Sequence, residues 1–120
     1  MSESTIKIKS FAFAVRVVKL YEYLVGTKKE FVLSKQLLRS GTGVGALVRE
    51  AQNAESKADF IHKLAIAQKE CDETIYWIEL LKETNYLNIK EYESINAEAT
   101  ELLKMIRSAI LTTKKNNKPK

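Results

Sequence analysis

The sequence predicts an all-α protein folded as an up-down-up-down antiparallel four-helix bundle. Three observations support this fold class. The only proline is Pro119, so no residue before it removes a helical amide donor. Apolar residues recur at spacings of three and four in four separate stretches, which is typical of helices with an apolar face. The connections between these stretches are short, which favours antiparallel packing of neighbouring helices.

Length and composition limit the architecture to one small domain. The chain has 120 residues, 45% hydrophobic and 29% charged, which is typical of a globular protein. We predict a bundle domain over residues 1–113 and a basic, flexible C-terminal tail over residues 114–120. The single cysteine excludes an internal disulfide, and no apolar run reaches the roughly 18 residues of a membrane span. We therefore expect a cytoplasmic protein without a membrane partner.

The first helix is predicted from Ser10 to Val25, with Gly26 just past its end. It carries two apolar stripes. One contains Phe11, Ala14, Val15, Val18, Tyr21 and Val25, and the other contains Phe13, Val17, Leu20 and Leu24. This apolar surface is wider than one face of an isolated bundle helix buries. We therefore predict that the second stripe, from Phe13 to Leu24, is an interface with another subunit.

The other three helices are predicted from their periodicity and their start signals. The second helix covers residues 31–54. Ser56 with Asp59 resembles a capping box, and so does Asn88 with Glu91. These signals place the starts of the third and fourth helices, and the apolar pattern of the fourth continues to Ile110.

The segment Ser40-Gly41-Thr42-Gly43-Val44-Gly45 has two interpretations. A phosphate-binding loop needs a preceding strand and a fuller motif, and the sequence has neither. Gly41 and Gly45 stand one turn apart on one side of the second helix, where missing side chains let another helix approach. Three glycines inside a helix cost about 3 kcal/mol relative to alanine, which tight packing would offset. We predict helix close-packing at Gly41 and Gly45.

The residues that carry chemistry in other proteins do not form a recognisable site here. His62 is the only histidine, so Asp59 and His62 lack the second motif that a dimetal bundle needs. Cys71 lies in an apolar stripe without a CxxC partner, which favours a buried, inert thiol. Tyr76 and Trp77 could stack a base, but packing is the commoner role of aromatics at helical spacing. We predict no catalytic residue, no metal and no cofactor.

Charge is segregated along the chain. Residues 1–60 hold 10 basic and 6 acidic side chains, residues 61–101 hold 4 and 9, and residues 102–120 hold 6 and 0. This pattern indicates either a positive face that attracts polyanions or an acidic partner, or a solvated surface with a lysine-rich end. The candidate nucleic-acid-binding residues are Arg16, Lys19, Arg39, Arg49, Lys114, Lys115, Lys118 and Lys120.

The sequence resembles the family of four-helix-bundle proteins encoded in intervening sequences of bacterial 23S ribosomal RNA genes. The resemblance spans residues 11–110 and is most specific at Arg39-Ser-Gly-Thr, Arg49-Glu-Ala, Ser56-x-x-Asp-Phe-Ile and Glu73-Thr-x-Tyr-Trp. Gly43 and Leu47 depart from the family pattern, which usually has serine and asparagine there. The resemblance implies a bundle that assembles as a homopentamer. A related protein of diversity-generating retroelements is a basic pentamer that engages a reverse transcriptase and nucleic acid.

Two hypotheses for function follow. The first is a non-enzymatic basic homo-oligomer, a pentamer according to the resemblance, that binds RNA, DNA or a ribonucleoprotein partner. A reverse transcriptase or another nucleic-acid-handling protein is a further candidate partner. The alternative is an oligomeric protein-protein scaffold with no nucleic-acid role. High salt weakens both kinds of binding, so competition by RNA and DNA is the better discriminator.

Overall fold

The fold is a bundle of four helices that pack side by side. The computed structural model describes residues 2–116, with side chains described from residue 5 onward. The helices are α1 (Ser2–Gly26), α2 (Leu33–Gln52), α3 (Lys57–Glu83) and α4 (Ile89–Asn116), and this part of the chain contains no strand. The molecule measures 55 × 22 × 21 Å, because the helices lie along one axis. The predicted all-α four-helix bundle is confirmed.

Each helix packs against two others. α1 contacts α2 and α4, and α3 contacts the same two helices. α1 and α3 therefore lie at opposite corners of the bundle. Because short connections reverse the chain after each helix, α1 and α3 run in one direction and α2 and α4 run in the other. One end of the bundle thus combines the start of α1, the end of α2, the start of α3 and the end of α4.

Local side-chain caps fix the starts of α3 and α4. The Asp59 amide donates to Ser56 Oγ at 3.0 Å, while Asp59 Oδ2 accepts from the Glu55 amide at 3.2 Å. The capping box at α4 is reciprocal, because Asn88 and Glu91 each accept from the other's amide at 2.8 Å. Each cap satisfies amide donors that the first turn of a helix leaves free. Both predicted start signals therefore function as caps.

The start of α2 is capped by a buried glutamate that the sequence does not signal. Glu30 Oε2 accepts from the amides of Val32 at 3.1 Å and Leu33 at 2.9 Å, and Oε1 accepts from that of Ser34 at 2.6 Å. Burial raises the pKa of Glu30, but the backbone hydrogen bonds from Leu33, Ser34 and Val32 outweigh it and lower the pKa below 4.5. Glu30 is therefore a charged N-terminal cap held inside the fold.

Two helices are longer than the sequence predicts. α1 begins at Ser2, eight residues before the predicted start, and its extension includes Ile6, which is 4% exposed in the core. α4 continues to Asn116, three residues past the predicted domain boundary. Lys114 and Lys115 therefore lie in the last turn of a helix and not in a tail.

The prediction that the stripe from Phe13 to Leu24 forms a subunit interface is wrong. Phe13 is 1% exposed, and Val17 and Leu24 are 0% exposed, within a single chain. Leu20 is partly buried against the same core. Because α1 packs against both α2 and α4, the stripe that points between those helices is buried inside the bundle.

Two glycines of α2 allow α1 to approach closely. A Cβ on Gly41 would lie 2.8 Å from Val17 Cγ2, and one on Gly45 would lie 3.1 Å from the Ser10 carbonyl oxygen. Both distances are shorter than ordinary van der Waals contact, so α1 occupies the space that side chains would need. The structure thus agrees with the close-packing prediction. Gly43 differs, because its nearest neighbour is Glu70 Oε1 at 3.7 Å.

Candidate functional site

Two of the predicted nucleic-acid-binding arginines are held by carboxylates. Arg16 on α1 pairs with Glu98 on α4, and its Nη2 donates to Ser94 Oγ at 2.8 Å. This guanidinium ties α1 to α4 and has its charge balanced by Glu98. A phosphate would have to displace that carboxylate before Arg16 could bind it in a fork.

Arg39 makes an equivalent contact between α2 and α3. Its Nη1 lies 3.1 Å from Glu70 Oε1, and its Nη2 pairs with Glu73. Trp77 Nε1 also donates to Glu73 Oε2 at 3.0 Å, which orients that carboxylate. Arg39 therefore lies on a different side of the bundle from Arg16, and the structure does not bring the two arginines together.

Lys19 and Arg49 are positive side chains of α1 and α2 without a carboxylate partner among the described residues. Lys19 is exposed. The Arg49 guanidinium lies over the Phe11 ring, 5.8 Å from the ring centre. Aromatic stacking leaves the charge of an arginine available to an anion. Both side chains are thus open to a negatively charged partner.

The basic end of the bundle, defined by Lys57, Lys114 and Lys115, gathers positive charge from two helices. Lys57 is the first residue of α3, and its Nζ donates to the Asn116 carbonyl oxygen at 3.3 Å. This contact places the start of α3 beside the last turn of α4. None of the three lysines has a carboxylate partner within the described part of the chain.

Sequence reasoning missed Lys57. The Ser56 cap combined with antiparallel topology provides a signal for its position, because the start of α3 and the end of α4 must share one end. The two remaining predicted residues, Lys118 and Lys120, lie outside the described residues. Residues 117–120 of the predicted flexible tail also lie outside the described residues.

A cavity of about 530 Å³ opens at the same end of the molecule. Its walls combine apolar and hydrogen-bonding side chains, among them Phe60, Leu64, Met105, Gln52, Thr112 and Asn116. The cavity is thus formed by the start of α1, the end of α2, the start of α3 and the end of α4.

An exposed apolar seam runs along α1. We define it as Ile8, Phe11, Val15 and Val18, which are 66%, 58%, 41% and 38% exposed. The spacings of three and four keep all four side chains on one face of the helix. Monomeric proteins rarely leave a continuous apolar strip in water, so the seam is a candidate contact surface. Phe11, Val15 and Val18 belong to the first apolar stripe predicted from the sequence, and Ile8 extends that stripe toward the start of α1.

The cysteine is placed as the sequence predicts. The Cys71 thiol is buried and lies 3.4 Å from the Ala99 carbonyl oxygen, and burial raises the pKa of Cys71 to about 12. A thiol with that pKa is almost entirely protonated at neutral pH and is a weak nucleophile. His62 is exposed, and the described residues contain no cluster of three metal-ligating side chains. Over the same part of the chain, no helix combines the length and apolarity of a membrane span.

Known proteins share both the sequence and the bundle. Residues 2–108 match the family described as 23S rRNA-intervening sequence protein. A similar crystal structure is that of a protein of unknown function from the S23 ribosomal protein family of Bacteroides thetaiotaomicron VPI-5482. The two are 55% identical with a TM-score of 0.91, over 92% of this chain and 98% of that chain. No curated protein matches. The resemblance noted in the sequence is thereby confirmed, and the chain belongs to the 23S rRNA-intervening sequence protein family.

Proposed function

We propose that the chain is a non-enzymatic homo-oligomer, a pentamer, that binds nucleic acid or a ribonucleoprotein partner through a basic surface repeated in every subunit. The exposed seam of α1 carries the self-association half of the proposal. Four large apolar side chains lie in water on one helix while the core beneath them is closed. Covering such a strip with another subunit removes apolar surface from water, which is the main driving force for association.

The basic end carries the nucleic-acid half of the proposal. Lys57, Lys114 and Lys115 lie on adjacent helix ends with no carboxylate partner among the described residues. Lysines of this kind neutralise phosphates as mobile point charges. A ring would repeat the three lysines in each subunit, so contacts that are weak singly would bind a polyanion strongly together.

The names of the relatives support the same direction. The family is described by ribosomal RNA intervening sequences, and the similar crystal structure is described by a ribosomal protein family. Both names refer to the ribosome or to its RNA, which makes nucleic acid the first class of partner to test. Cys71 is not available as a nucleophile, because its thiol is buried and its pKa is raised to about 12.

The test of nucleic-acid binding is fluorescence anisotropy with structured RNA, single-stranded DNA and duplex DNA between about 50 and 200 mM salt. The variant for this test neutralises Lys57, Lys114 and Lys115 to glutamine. Its matched control neutralises Lys28, Lys29 and Lys90, which are exposed at the other end of the bundle. Losing three phosphate contacts lowers the slope of log affinity against log salt by about two to three, and the control leaves it unchanged.

The result that would overturn nucleic-acid binding is equally specific. No binding of the intact protein to any of the three nucleic acids at about 50 mM salt, where electrostatic contacts are strong, removes that half of the proposal. The protein-protein scaffold then takes its place. That alternative is favoured by the groove between α1 and α2, which is lined by Phe11, Ala14, Gly45, Ala46 and Arg49 among others and combines a small apolar floor with a cation.

A further inference from the structure

The α1 seam has a basic margin. Between residues 5 and 26, α1 carries four basic side chains and one acidic side chain, and two of the basic ones, Lys9 and Arg16, pair with Glu101 and Glu98 of α4. Lys19 lies four residues after Val15 and one residue after Val18, so its charge is beside the exposed apolar side chains. Within the described part of the molecule Lys19 forms no ion pair.

The outer face of α3 has the opposite character. We define an acidic face as Asp72, Tyr76 and Glu79, whose spacings of four and three place them on one side of the helix. Tyr76 is 55% exposed, and its ring meets Trp77 edge-on at 5.0 Å between centres. Residues 70–83 contain five acidic side chains and one basic side chain.

The carboxylates of the acidic face are available to a partner. Glu70 and Glu73 are already bound by Arg39, and Glu83 lies 3.2 Å from Lys82. Asp72 and Glu79 have no such partner among residues 5–116. The exposed Tyr76 ring is thus flanked by two unpaired negative charges, as the seam is flanked by unpaired positive charge.

The C-terminal half of the seam lies at the same height along the bundle as the acidic face. Gly41 on α2 touches Val17 of α1, and its neighbour Ser40 accepts a hydrogen bond from Thr74 of α3 at 2.9 Å. Val17 and Thr74 are therefore level with each other across α2. Lys19 lies about 3 Å further along α1, and Asp72 and Tyr76 lie about 3 Å on either side of Thr74. Because α1 and α3 run in the same direction, Val15, Val18 and Lys19 of one copy can meet Asp72 and Tyr76 of the next without a shift along the axis. Ile8 and Phe11 lie about 9 to 14 Å from the level of Val17, toward the start of α1.

The charges favour unlike surfaces over like ones. A two-fold contact of α1 with α1 would place basic margins against each other, and a contact of α3 with α3 would oppose carboxylates. A contact of α1 with α3 pairs Lys19 with Asp72 or Glu79 and covers Val15 and Val18 with Tyr76. α1 and α3 occupy opposite corners of the bundle, so each copy can use both surfaces at once.

We infer that copies of this chain associate head to tail, with the α1 seam of one copy seated on the acidic face of α3 in the next. The inference rests on the self-association half of the proposed function and specifies its interface. A heterologous contact repeats from copy to copy until the rotation closes a ring. The occupant of the seam is thus a second copy of the chain, presented through Asp72, Tyr76 and Glu79.

Complementation between two damaged variants tests this arrangement. The head variant carries Val15→Asp and Lys19→Glu, and the tail variant carries Asp72→Lys and Tyr76→Ser. The seam and the acidic face are exposed, so each variant is expected to fold, which circular dichroism verifies. Each alone is expected to be a monomer of 13.7 kDa by light scattering. A 1:1 mixture restores one intact contact and is expected to double that mass.

The matched control carries Leu111→Asp and Lys104→Glu on α4, which remove one exposed apolar side chain and reverse one charge away from both surfaces. It is expected to keep the mass of the unaltered protein. If a variant fails to fold, the milder Lys19→Glu and Asp72→Lys are used separately and then in one chain. Separately they are expected to lower the association constant at least tenfold, and together they are expected to restore most of it.

Three outcomes would overturn a part of the scheme, each a different part. An unaltered protein that is monomeric at micromolar concentration refutes self-association, and with it the proposed function. An oligomer that only the head variant disrupts shows that the seam contacts a surface other than the acidic face of α3, and it refutes the pairing of these two surfaces alone. An oligomer that survives both variants shows that neither surface is the interface, while the proposed pentamer itself stands.

Discussion

The two apolar stripes of α1 have similar compositions and opposite environments. Val17 is 0% exposed and touches Gly41, whereas Val15, two residues earlier, is 41% exposed. The apolar periodicity places both stripes on a helix but does not indicate which of them is buried. The buried stripe is determined by α2, because Gly41 provides the space that the side chain of Val17 fills. Which stripe of α1 is buried therefore depends on its packing against α2 and not on the hydrophobicity of α1.

The largest difference between the stripes is expected on introducing a charge. Val17→Asp would bury an unpaired carboxylate and is expected to cost about 4 kcal/mol or more in the free energy of unfolding, enough to unfold a small domain. Val15→Asp is expected to leave the helical circular dichroism of the chain intact and to weaken association only. Equal loss of helix in both variants would contradict the assignment of the stripes.

A second comparison adds a methyl group at different glycines of α2. Gly41→Ala places a Cβ 2.8 Å from Val17 Cγ2 and is expected to lower the free energy of unfolding by about 1 to 3 kcal/mol. Gly43→Ala is the control, since its Cβ meets only Glu70 Oε1 at 3.7 Å. It is expected to stabilise α2 by up to about 1 kcal/mol through helix propensity.

A double variant tests whether Val17 causes the loss of stability expected for Gly41→Ala. Combining Gly41→Ala with Val17→Ala removes the methyl groups that clash, so the double variant is expected to be less destabilised than the sum of the singles. Strict additivity in urea denaturation would show that Val17 and Gly41 do not determine each other.

The cap at Glu30 fixes where α2 starts and so helps to hold Gly41 opposite Val17. Glu30→Gln removes the charge that the amides of Val32, Leu33 and Ser34 bind, and is expected to cost about 1 to 2 kcal/mol at pH 7. The folded-state pKa of Glu30 lies below 4.5, so its stabilisation is present above that pH and is lost as the pH falls through the folded-state pKa. The stability gap between the two proteins should therefore close in acid.

Urea denaturation at pH 7, 5 and 3 measures that gap. A difference that stays constant, or widens as the pH falls, would contradict a charged cap at this position. Ser34→Ala is a useful companion, because it keeps the three backbone amides that donate to the Glu30 carboxylate and removes only the Ser34 hydroxyl. That hydroxyl donates to the Glu30 carbonyl oxygen and also helps to lower the pKa of Glu30.

The smallest change in the free energy of unfolding is expected for a substitution beside the exposed stripe. Arg49→Gln removes the guanidinium that lies 5.8 Å from the centre of the Phe11 ring. Cation–π contacts at exposed sites contribute about 0.5 to 1 kcal/mol, so the free energy of unfolding should change by no more than that. A double-mutant cycle with Phe11→Leu isolates the contact, and a coupling well above 1 kcal/mol would indicate that Phe11 is less exposed than described.

The helix starts illustrate what the sequence can predict. Ser56 and Asp59, and likewise Asn88 and Glu91, are three residues apart, so the whole cap is visible in a short window of sequence. The cap of α2 is less visible, because Glu30 acts through a turn before the helix and is not one of the usual N-cap residue types. Short-range chemistry was therefore predictable where donor and acceptor follow the common pattern.

The candidate site was less predictable because it depends on contacts between distant segments. Arg16 and Arg39 look like free cations in the sequence, and only the fold brings Glu98 and Glu73 to them. Lys57 looks like an ordinary first-turn residue until α4 ends beside it. The close approach at Gly41 was predictable from spacing alone, whereas its partner Val17 had been assigned to the opposite role.

The single cysteine, Cys71, can report how often the bundle opens in solution. Cys71 on α3 lies 3.4 Å from the carbonyl oxygen of Ala99 on α4. With its pKa raised to about 12, it reacts with an alkylating reagent only when these two helices separate and water reaches the sulfur. The rate at which Cys71 of the intact chain is alkylated therefore measures how often α3 and α4 separate. No probe has to be introduced into the chain. Ligands that clamp the bundle shut should slow that reaction in proportion to the opening free energy they add.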